Sequence, residues 1–212
     1  KQSGNNSYLF AGVLNCTFIE CTFDGYTGSA NGFLLSTSGE NAFISCTMRR
    51  CSEWFVLSNG NQNRYLRCKI VDCAGGWYAY GSVIIDHCYA KIGSYSNLVI
   101  ETDGGGQYVI YNSVFESGGA TTLFKSGTSV AKAEAVYTRS IAAGSPNIVG
   151  ANGITTLSSN PYTDPSALDF TLSSELAAIT GSDGLTPGPV QATGGGGTAG
   201  FTGLSGVGRL GT

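Results

Sequence analysis

Apolar and polar residues alternate along short stretches of this chain, and one such stretch recurs. Residues 41–51 read Asn-Ala-Phe-Ile-Ser-Cys-Thr-Met-Arg-Arg-Cys, and close copies stand at 15–21 and 67–73. A copy at 87–93 keeps the first cysteine and loses the second. Alternation with a period of two is typical of strands that bury one face. The recurring stretch therefore predicts a chain built from short strands in repeats.

Aligning the copies on their first cysteine gives anchor positions 20 to 30 residues apart. These anchors are Cys16, Cys46, Cys68, Cys88, Asn112 and Arg139. Residues two before and two after each anchor are predicted to face the core. Repeats of this length, closed by Gly- and Asn-rich turns, are typical of solenoids. We predict an all-β fold, a right-handed single-stranded parallel β-helix of about six coils with an extended Gly-rich C-terminal tail.

The cysteines belong to the repeat. There are seven, an odd number, so at least one has no partner within the chain. Stacked coils would place Cys16, Cys46, Cys68 and Cys88 in one inward column about 4.8 Å apart, and Cys21, Cys51 and Cys73 in a second column just past a bend. Their parallel Cα–Cβ vectors do not suit the dihedral angle of a disulfide, so we predict buried free thiols. A zinc site is the alternative, but cysteines five residues apart with one histidine in the chain do not match its usual ligand pattern.

A second apolar column lies three residues before each anchor, and strict alternation would turn it outward. Two interpretations stay open. Either the strand bends there and the side chains face the core, or the solenoid carries an exposed apolar stripe, which usually marks a protein–protein interface. The stripe would favour a homo-oligomer, most simply a trimer. The candidate interface residues are Val13, Phe43, Tyr65, Ile85, Val109 and Val136.

The C-terminal third changes character. Residues 160–172 read Asn-Pro-Tyr-Thr-Asp-Pro-Ser-Ala-Leu-Asp-Phe-Thr-Leu, and Ala-Ala-Ile-Thr-Gly follows at 177–181. Together with the coil pattern, this segment resembles the closing segment of right-handed parallel β-helix proteins of the pectate-lyase-like superfamily. The resemblance covers most of residues 9–191 and implies the fold. It does not imply one function, because this fold hosts many activities.

Beyond that segment the chain becomes rich in glycine. We predict two units, a parallel β-helix domain over residues 1–191 and a Gly-rich C-terminal arm over residues 192–212. Four consecutive glycines at 194–197 would make a flexible linker. The apolar residues that follow are suited to docking on a host assembly, such as a capsid or tail protein, as an added strand. They are Phe201, Leu204, Val207 and Leu210.

Composition restricts the partners. Charged residues make up 12% of the chain and the formal net charge is −3, which does not suit an electrostatic nucleic-acid binder. No run reaches the roughly 18 apolar residues that a membrane-spanning helix needs. We therefore expect neither a nucleic-acid nor a membrane partner. The sequence lacks a P-loop or dinucleotide fingerprint, so no cofactor is predicted.

Candidate chemistry is sparse. Pectate lyases, which the fold resembles, use several acidic calcium ligands and an arginine base, and no matching column of residues occurs here, so we assign no catalytic residue. Glu101 and Asp103 share a strand face and are weak candidates for a Ca²⁺ site. Asp86 falls at an inward position beside His87, the one histidine of the chain. Four aromatic residues are candidate platforms for sugars: Trp54, Trp77, Tyr78 and Tyr80.

These features favour a non-enzymatic structural or attachment protein of a larger assembly. Phage capsid-decoration, head-fibre and tail proteins, which the chain resembles, combine a stiff β-helix, few charges and a Gly-rich arm. The expected location is then the virion, with the extracellular space or the cell surface as alternatives. A polysaccharide lyase or hydrolase, or a β-helix module that binds surface glycans through its aromatic residues, is the alternative function.

Overall fold

The computed structural model is a parallel β-solenoid with almost no helix, so the predicted fold class is confirmed. It describes residues 8–24, 33–37, 40–50, 56–58, 62–79, 81–92, 100–102, 107–119, 122–124, 128–144, 147–148 and 152–191.

The first twelve strands in chain order are β1 (Tyr8–Val13), β2 (Thr17–Ile19), β3 (Thr22–Asp24), β4 (Phe33–Thr37), β5 (Ala42–Ile44), β6 (Thr47–Arg49), β7 (Val56–Ser58), β8 (Asn63–Leu66), β9 (Lys69–Cys73), β10 (Trp77–Ala79), β11 (Val83–Asp86) and β12 (Tyr89–Ile92). The later elements are β13 (Ile100–Thr102), β14 (Tyr108–Tyr111), β15 (Val114–Ser117), β16 (Thr122–Phe124), β17 (Ser129–Arg139), β18 (Ala142–Gly144), β19 (Asn147–Ile148), β20 (Asn152–Thr156), β21 (Tyr162–Asp164), a 3₁₀ turn (Pro165–Ala167), β22 (Asp169–Leu172) and α1 (Ser174–Ala177).

Each coil contributes one strand to a first sheet and two to a second. The first sheet has the order β1-β4-β7-β10-β13-β16-β18, and every adjacent pair in it is parallel. The second follows β2-β5-β8-β11-β14 along one half and β3-β6-β9-β12-β15 along the other, and both halves meet in the long strand β17. Strands β1 to β15 thus form five successive coils of three strands. One further coil and an incomplete last one follow, so the coil count differs slightly from six.

A column of left-handed corner residues separates the two halves of the second sheet. Positive φ angles between 44° and 53° occur at Glu20, Ser45, Arg67, His87, Asn112 and Ala135. Corner N–H groups donate to a carbonyl one coil further on; Ser45 N, for example, lies 2.8 Å from Leu66 O. Positive φ is uncommon outside glycine, so this stacked column is a constraint that the packed coils impose.

The corner explains why one predicted column was wrong. Phe43 and Cys46 are fully buried, whereas Ile44 and Ser45 between them are only half-buried. Two consecutive residues therefore avoid the core at the corner, and the alternation shifts phase there. The residues two before the anchor, predicted to face inward, instead lie half-exposed at Ile44, Leu66 and Asp86.

The register of three coils also differs from the sequence alignment. Thr22 pairs with Thr47 and Val114 with Tyr137, so the residues stacked on the Cys46–Cys68–Cys88 column are Cys21, Ser113 and Val136. The anchors Cys16, Asn112 and Arg139 were wrong, by five, one and three residues. The recurring stretch carries two cysteines five residues apart, and the loops between copies vary in length. The sequence alone therefore does not decide which of the two cysteines stacks on the cysteine of the next coil.

Three of the four thiols predicted for the inward column are confirmed as buried and free, whereas Cys16 is free but exposed. Cys46, Cys68 and Cys88 are buried and unpaired. Each Sγ donates to a carbonyl of the preceding coil, at 3.5 Å for Cys46 to Phe18 O and 3.3 Å for Cys68 to Phe43 O. Burial raises the pKa of the Cys68 thiol well above its ordinary value. The column therefore holds neutral thiols that act as small core residues.

Aromatic rings fill the core beside the thiols. Phe18, Phe43 and Tyr65 stack along the solenoid axis with centroids 4.9 Å apart and planes within 5°. The indole of Trp77 packs edge-on against Tyr65 and Phe115. Offset or edge contacts of this kind add about 0.5–1.5 kcal/mol per pair to the burial of the rings.

The C-terminal segment, residues 157–191, forms a cover along the outer face of the solenoid. It contains the β21–β22 hairpin, the 3₁₀ turn and α1. A second hydrophobic cluster joins outward side chains of β9, β12 and β15 to this cover: Val71, Tyr89, Val114, Leu157, Tyr162, Phe170 and Leu176. The cover therefore buries an apolar outer face that would otherwise meet water.

Candidate functional site

The predicted interface column lies mostly in the core. Phe43, Tyr65, Ile85 and Val136 are buried in the main hydrophobic cluster, so the inward alternative holds for these four and they form no exposed stripe. The phase shift at the corner is the physical reason for Phe43, Tyr65 and Ile85. Val136 is buried because it stacks on Ser113 in the cysteine column. Val109 pairs with Ile84, one residue away from Ile85, and is half-buried. The side chain of Val13 lies outside the described part of the structure, as do the arm residues Phe201, Leu204, Val207 and Leu210.

The predicted sugar platforms are not assembled into a described surface. Trp77 is fully buried against Tyr65 and Phe115, so its assignment as a sugar platform was wrong. It stands at an inward position of β10, where the core requires a large ring. Trp54 and Tyr80 lie outside the described residues, and for Tyr78 only the backbone is described.

The weak calcium candidates remain untested. Glu101 lies in β13, where its backbone alone is described, and Asp103 falls outside the described residues. Within the described ranges, no group of three or more His, Cys, Asp or Glu side chains is placed to hold a metal ion.

A buried carboxylate that the sequence did not single out lies under the C-terminal cover. Glu116 is 6% exposed, accepts a hydrogen bond of 2.8 Å from the Tyr89 hydroxyl, and lies 3.5 Å from Lys91 Nζ. Burial, followed by the Glu116 charge, raises the pKa of Tyr89. The ring of Tyr89 packs edge-on against Tyr162 and Phe170 of the cover. This arrangement fastens the cover to the coils and has no opening to solvent at the tyrosine.

The N-terminal end of the solenoid is the most exposed apolar region among the described residues. Strands β2 and β3 each pair with a strand of the second coil and stand at the two ends of the described second sheet. Leu14 and Ile19 belong to the same coil as β2 and β3 and are 56% and 59% exposed. Phe18 is only partly buried, because its ring stacks on Phe43 on one side alone within the described part.

Charged side chains bind this first coil to the second. Arg50 donates two hydrogen bonds of 2.6 Å to the two carboxylate oxygens of Asp24, and Arg49 lies 3.6 Å from the same group. The paired carboxylate raises the pKa of the exposed Arg50 guanidinium. A bidentate arginine–carboxylate pair fixes geometry as well as charge. The first coil is therefore held in register with the second.

Polar contacts join residues 182–188 of the C-terminal cover to the corner column. Asn112 Oδ1 accepts hydrogen bonds from Ser182 N at 2.8 Å and Ser182 Oγ at 3.0 Å. Gly188 N donates to Asn112 O at 2.7 Å. One coil earlier, His87 lies between Asp86 and Asp183. Sequence reasoning noticed Asp86 and His87 but placed Asp86 in the core, where the structure places it at the half-exposed corner.

Within the cover, Glu175 clamps the turn that leads into it. Its carboxylate accepts hydrogen bonds from the backbone N–H and the hydroxyl of both Ser158 and Ser159, at 2.6 to 3.0 Å. These four donors lower the pKa of Glu175 from 4.5 to about 2. The clamp holds α1 against the end of β20.

Comparison with known proteins gives no relative for this arrangement: no family model, no curated protein and no solved structure matches the chain. Among the described residues, no helix is both long enough and apolar enough to cross a membrane.

Proposed function

We propose that this protein is a non-enzymatic structural module of a larger assembly and that it pairs with a second copy of itself through the N-terminal end of its solenoid. One observation carries the proposal: Leu14 and Ile19, in the coil of β2 and β3 at the end of the described sheet, are both more than half exposed. Exposed apolar side chains grouped at one place usually mark a contact with another chain.

Pairing between neighbouring coils shows the geometry that a partner strand would adopt. Ladders between neighbouring coils within the solenoid already bury residues such as Met48 and Ile70 completely. A partner strand laid on the outer edge of β2 would cover Phe18 in the way that Phe43 is covered one coil later. Burial of each such side chain is worth about 1.5–3 kcal/mol.

The partner we propose is a second copy of this chain. The two N-terminal ends would meet about a two-fold axis, which is the commonest closed arrangement of identical subunits. This end-to-end contact takes the place of the side-by-side trimer, because four of the residues proposed for the trimer stripe are in the core. The assembly we propose is a virion, in which the chain would serve as a decoration, fibre or tail component.

Sedimentation equilibrium and light scattering over a range of concentrations test the proposal. The full chain should associate, and Leu14→Lys with Ile19→Lys should shift it to monomer while leaving the circular dichroism spectrum unchanged. Leu168→Lys is the matched control, since Leu168 is 40% exposed in the cover, far along the chain from β2, and should leave association intact. A monomer at every concentration, or association that survives the double substitution, would overturn the end contact.

The enzymatic alternative has its own readout. Reducing-sugar and unsaturated-product assays on a panel of acidic glycans should show no turnover. Steady turnover by the purified chain would contradict the non-enzymatic part of the proposal and leave the end contact to be decided by sedimentation.

A further inference from the structure

The turn at residues 181–188 of the C-terminal cover is fastened to the solenoid by an Asp–His–Asp cluster. His87 Nδ1 lies 2.9 Å from Asp86 Oδ1, and His87 Nε2 lies 3.4 Å from Asp183 Oδ2. The imidazole is 3% exposed, whereas the two carboxylates are 34% and 41% exposed. The ring is thus buried between two carboxylates that still reach solvent.

Neither neutral form of the imidazole satisfies this cluster. A neutral ring carries one N–H and one lone pair, so whichever nitrogen donates, the other presents its lone pair to a carboxylate. Nδ1 can donate to the Asp86 carboxylate only when it carries the proton, and Nε2 has no hydrogen-bond partner among the described residues. The imidazolium carries N–H groups on both nitrogens and faces both carboxylates favourably.

The neighbours of the ring among the described residues come from β11, the turn and the corner column. Asp86 is the preceding residue on β11, and Asp183 comes from the turn. The stacked corner positions one coil before and one coil after are Arg67 and Asn112. Asn112 is neutral and already holds Ser182 and Gly188. Asp183 is therefore the charged link from the turn to the histidine.

We infer that His87 is a pH-sensitive clasp: its protonated form strengthens the docking of the 181–188 turn on the solenoid, and its deprotonation weakens that docking. The contact of Asp86 with His87 lies within one corner and persists when the turn lifts. The contact with Asp183 exists only in the docked state, so protonation favours docking. The rest of the cover stays in place, because the β21–β22 hairpin is anchored by Tyr162 and Phe170 in the second cluster.

Release would uncover a defined surface. Gly188 packs with positive φ against the Tyr162 hydroxyl and Val114, where even a methyl group would collide. Gly181 sits close to the Asn112 side chain, where a Cβ would lie 2.6 Å from Oδ1. Lifting the turn therefore exposes the corner residue Asn112 and one edge of the second cluster.

Hydrogen exchange on the full chain tests the clasp. Exchange is followed by mass spectrometry at pH 5.5 and pH 8.0, with times scaled for the intrinsic rates, and the peptide over 181–188 is compared with that over 162–172. Protection of 181–188 should fall about five-fold at the higher pH, the effect of one partly exposed ion pair, while 162–172 stays unchanged. The chain has one histidine, so proton NMR of its ring gives the pH at which that fall should be centred.

Two substitutions decide the assignment. Asp183→Asn should make the protection of 181–188 independent of pH, and His87→Asn, which suits the left-handed corner, should do the same. Asp169→Asn is the matched control in the cover and should keep the pH dependence. Equal protection at both pH values in the parent chain, or a pH dependence that persists in Asp183→Asn, would overturn the clasp.

Discussion

Replacing Phe43 and its neighbour Ile44 by alanine, one at a time, tests the corner that sets the phase of the core. Phe43 is fully buried and stacks between Phe18 and Tyr65 at 4.9 Å on each side. Phe→Ala in a core costs about 3–5 kcal/mol, and the loss of two ring contacts places this site at the upper end, about 4–5 kcal/mol. Ile44 is half-buried outside the core cluster, so Ile44→Ala should cost about 1 kcal/mol.

Chemical denaturation followed by circular dichroism measures both differences. A domain of ordinary stability has about 5–15 kcal/mol to lose, so Ile44→Ala stays fully folded and Phe43→Ala folds with a much lower midpoint. The reverse order, with Ile44→Ala the more damaging, would show that alternation continues through the corner and that the left-handed column is wrong. Equal losses would also refute the phase assigned here.

Three further outcomes are expected. Iodoacetamide should modify the exposed Cys16 in the native chain and reach Cys46, Cys68 and Cys88 only after unfolding, as read by mass spectrometry; rapid native labelling of Cys68 would contradict the buried column. The pKa of Glu175 is depressed from 4.5 to about 2, so its contribution to stability is present above pH 4.5 and lost as pH falls from 4.5 towards 2. Glu175→Gln should flatten that part of the acid unfolding curve, and an unchanged curve would refute the clamp. Tyr89→Phe removes the hydroxyl that binds the buried Glu116 and should lower the melting temperature, with Tyr137→Phe, whose hydroxyl is not part of the Glu116 contact, as the milder comparison; equal melting temperatures would contradict the Glu116 contact.

The solenoid was predictable because its signal is local and repeated. Alternation within three to five residues marks each strand, and the Cys46, Cys68 and Cys88 copies stay in register for three residues after each cysteine, with one irregularity at the end of β9. The phase at the corner was not predictable from alternation. Ser45, Arg67 and His87 are not glycines, and nothing in their residue types announces a positive φ.

The cover was harder still. Its closing segment was recognised, but the face it covers depends on contacts between residues far apart in sequence. Val71, Tyr89 and Val114 occupy outward positions in three different coils and are buried only because residues 157–191 return across them. The link from His87 to Asp183 spans nearly a hundred residues, and no local pattern encodes it. The one sign of the cover in the sequence was that successive coils carry an apolar residue at an outward position.

The exposed apolar residues at the N-terminal end of the solenoid were also not predicted from the sequence. Leu14 was predicted to face the core because its coil was aligned on Cys16, and the true register places the stacked cysteine at Cys21. With the register corrected, Leu14 and Ile19 stand beside the first strand edge and remain exposed. The surface on which the proposed function rests is thus a consequence of the five-residue register difference.

The most direct test of that function is the concentration dependence of the molar mass in sedimentation equilibrium, for the parent chain and for the Leu14→Lys, Ile19→Lys variant. Association through the N-terminal end of the solenoid predicts that the parent chain approaches twice its 21.9 kDa chain mass while the variant stays at the chain mass. A parent chain that remains at the single-chain mass, or a variant that associates equally well, would contradict it.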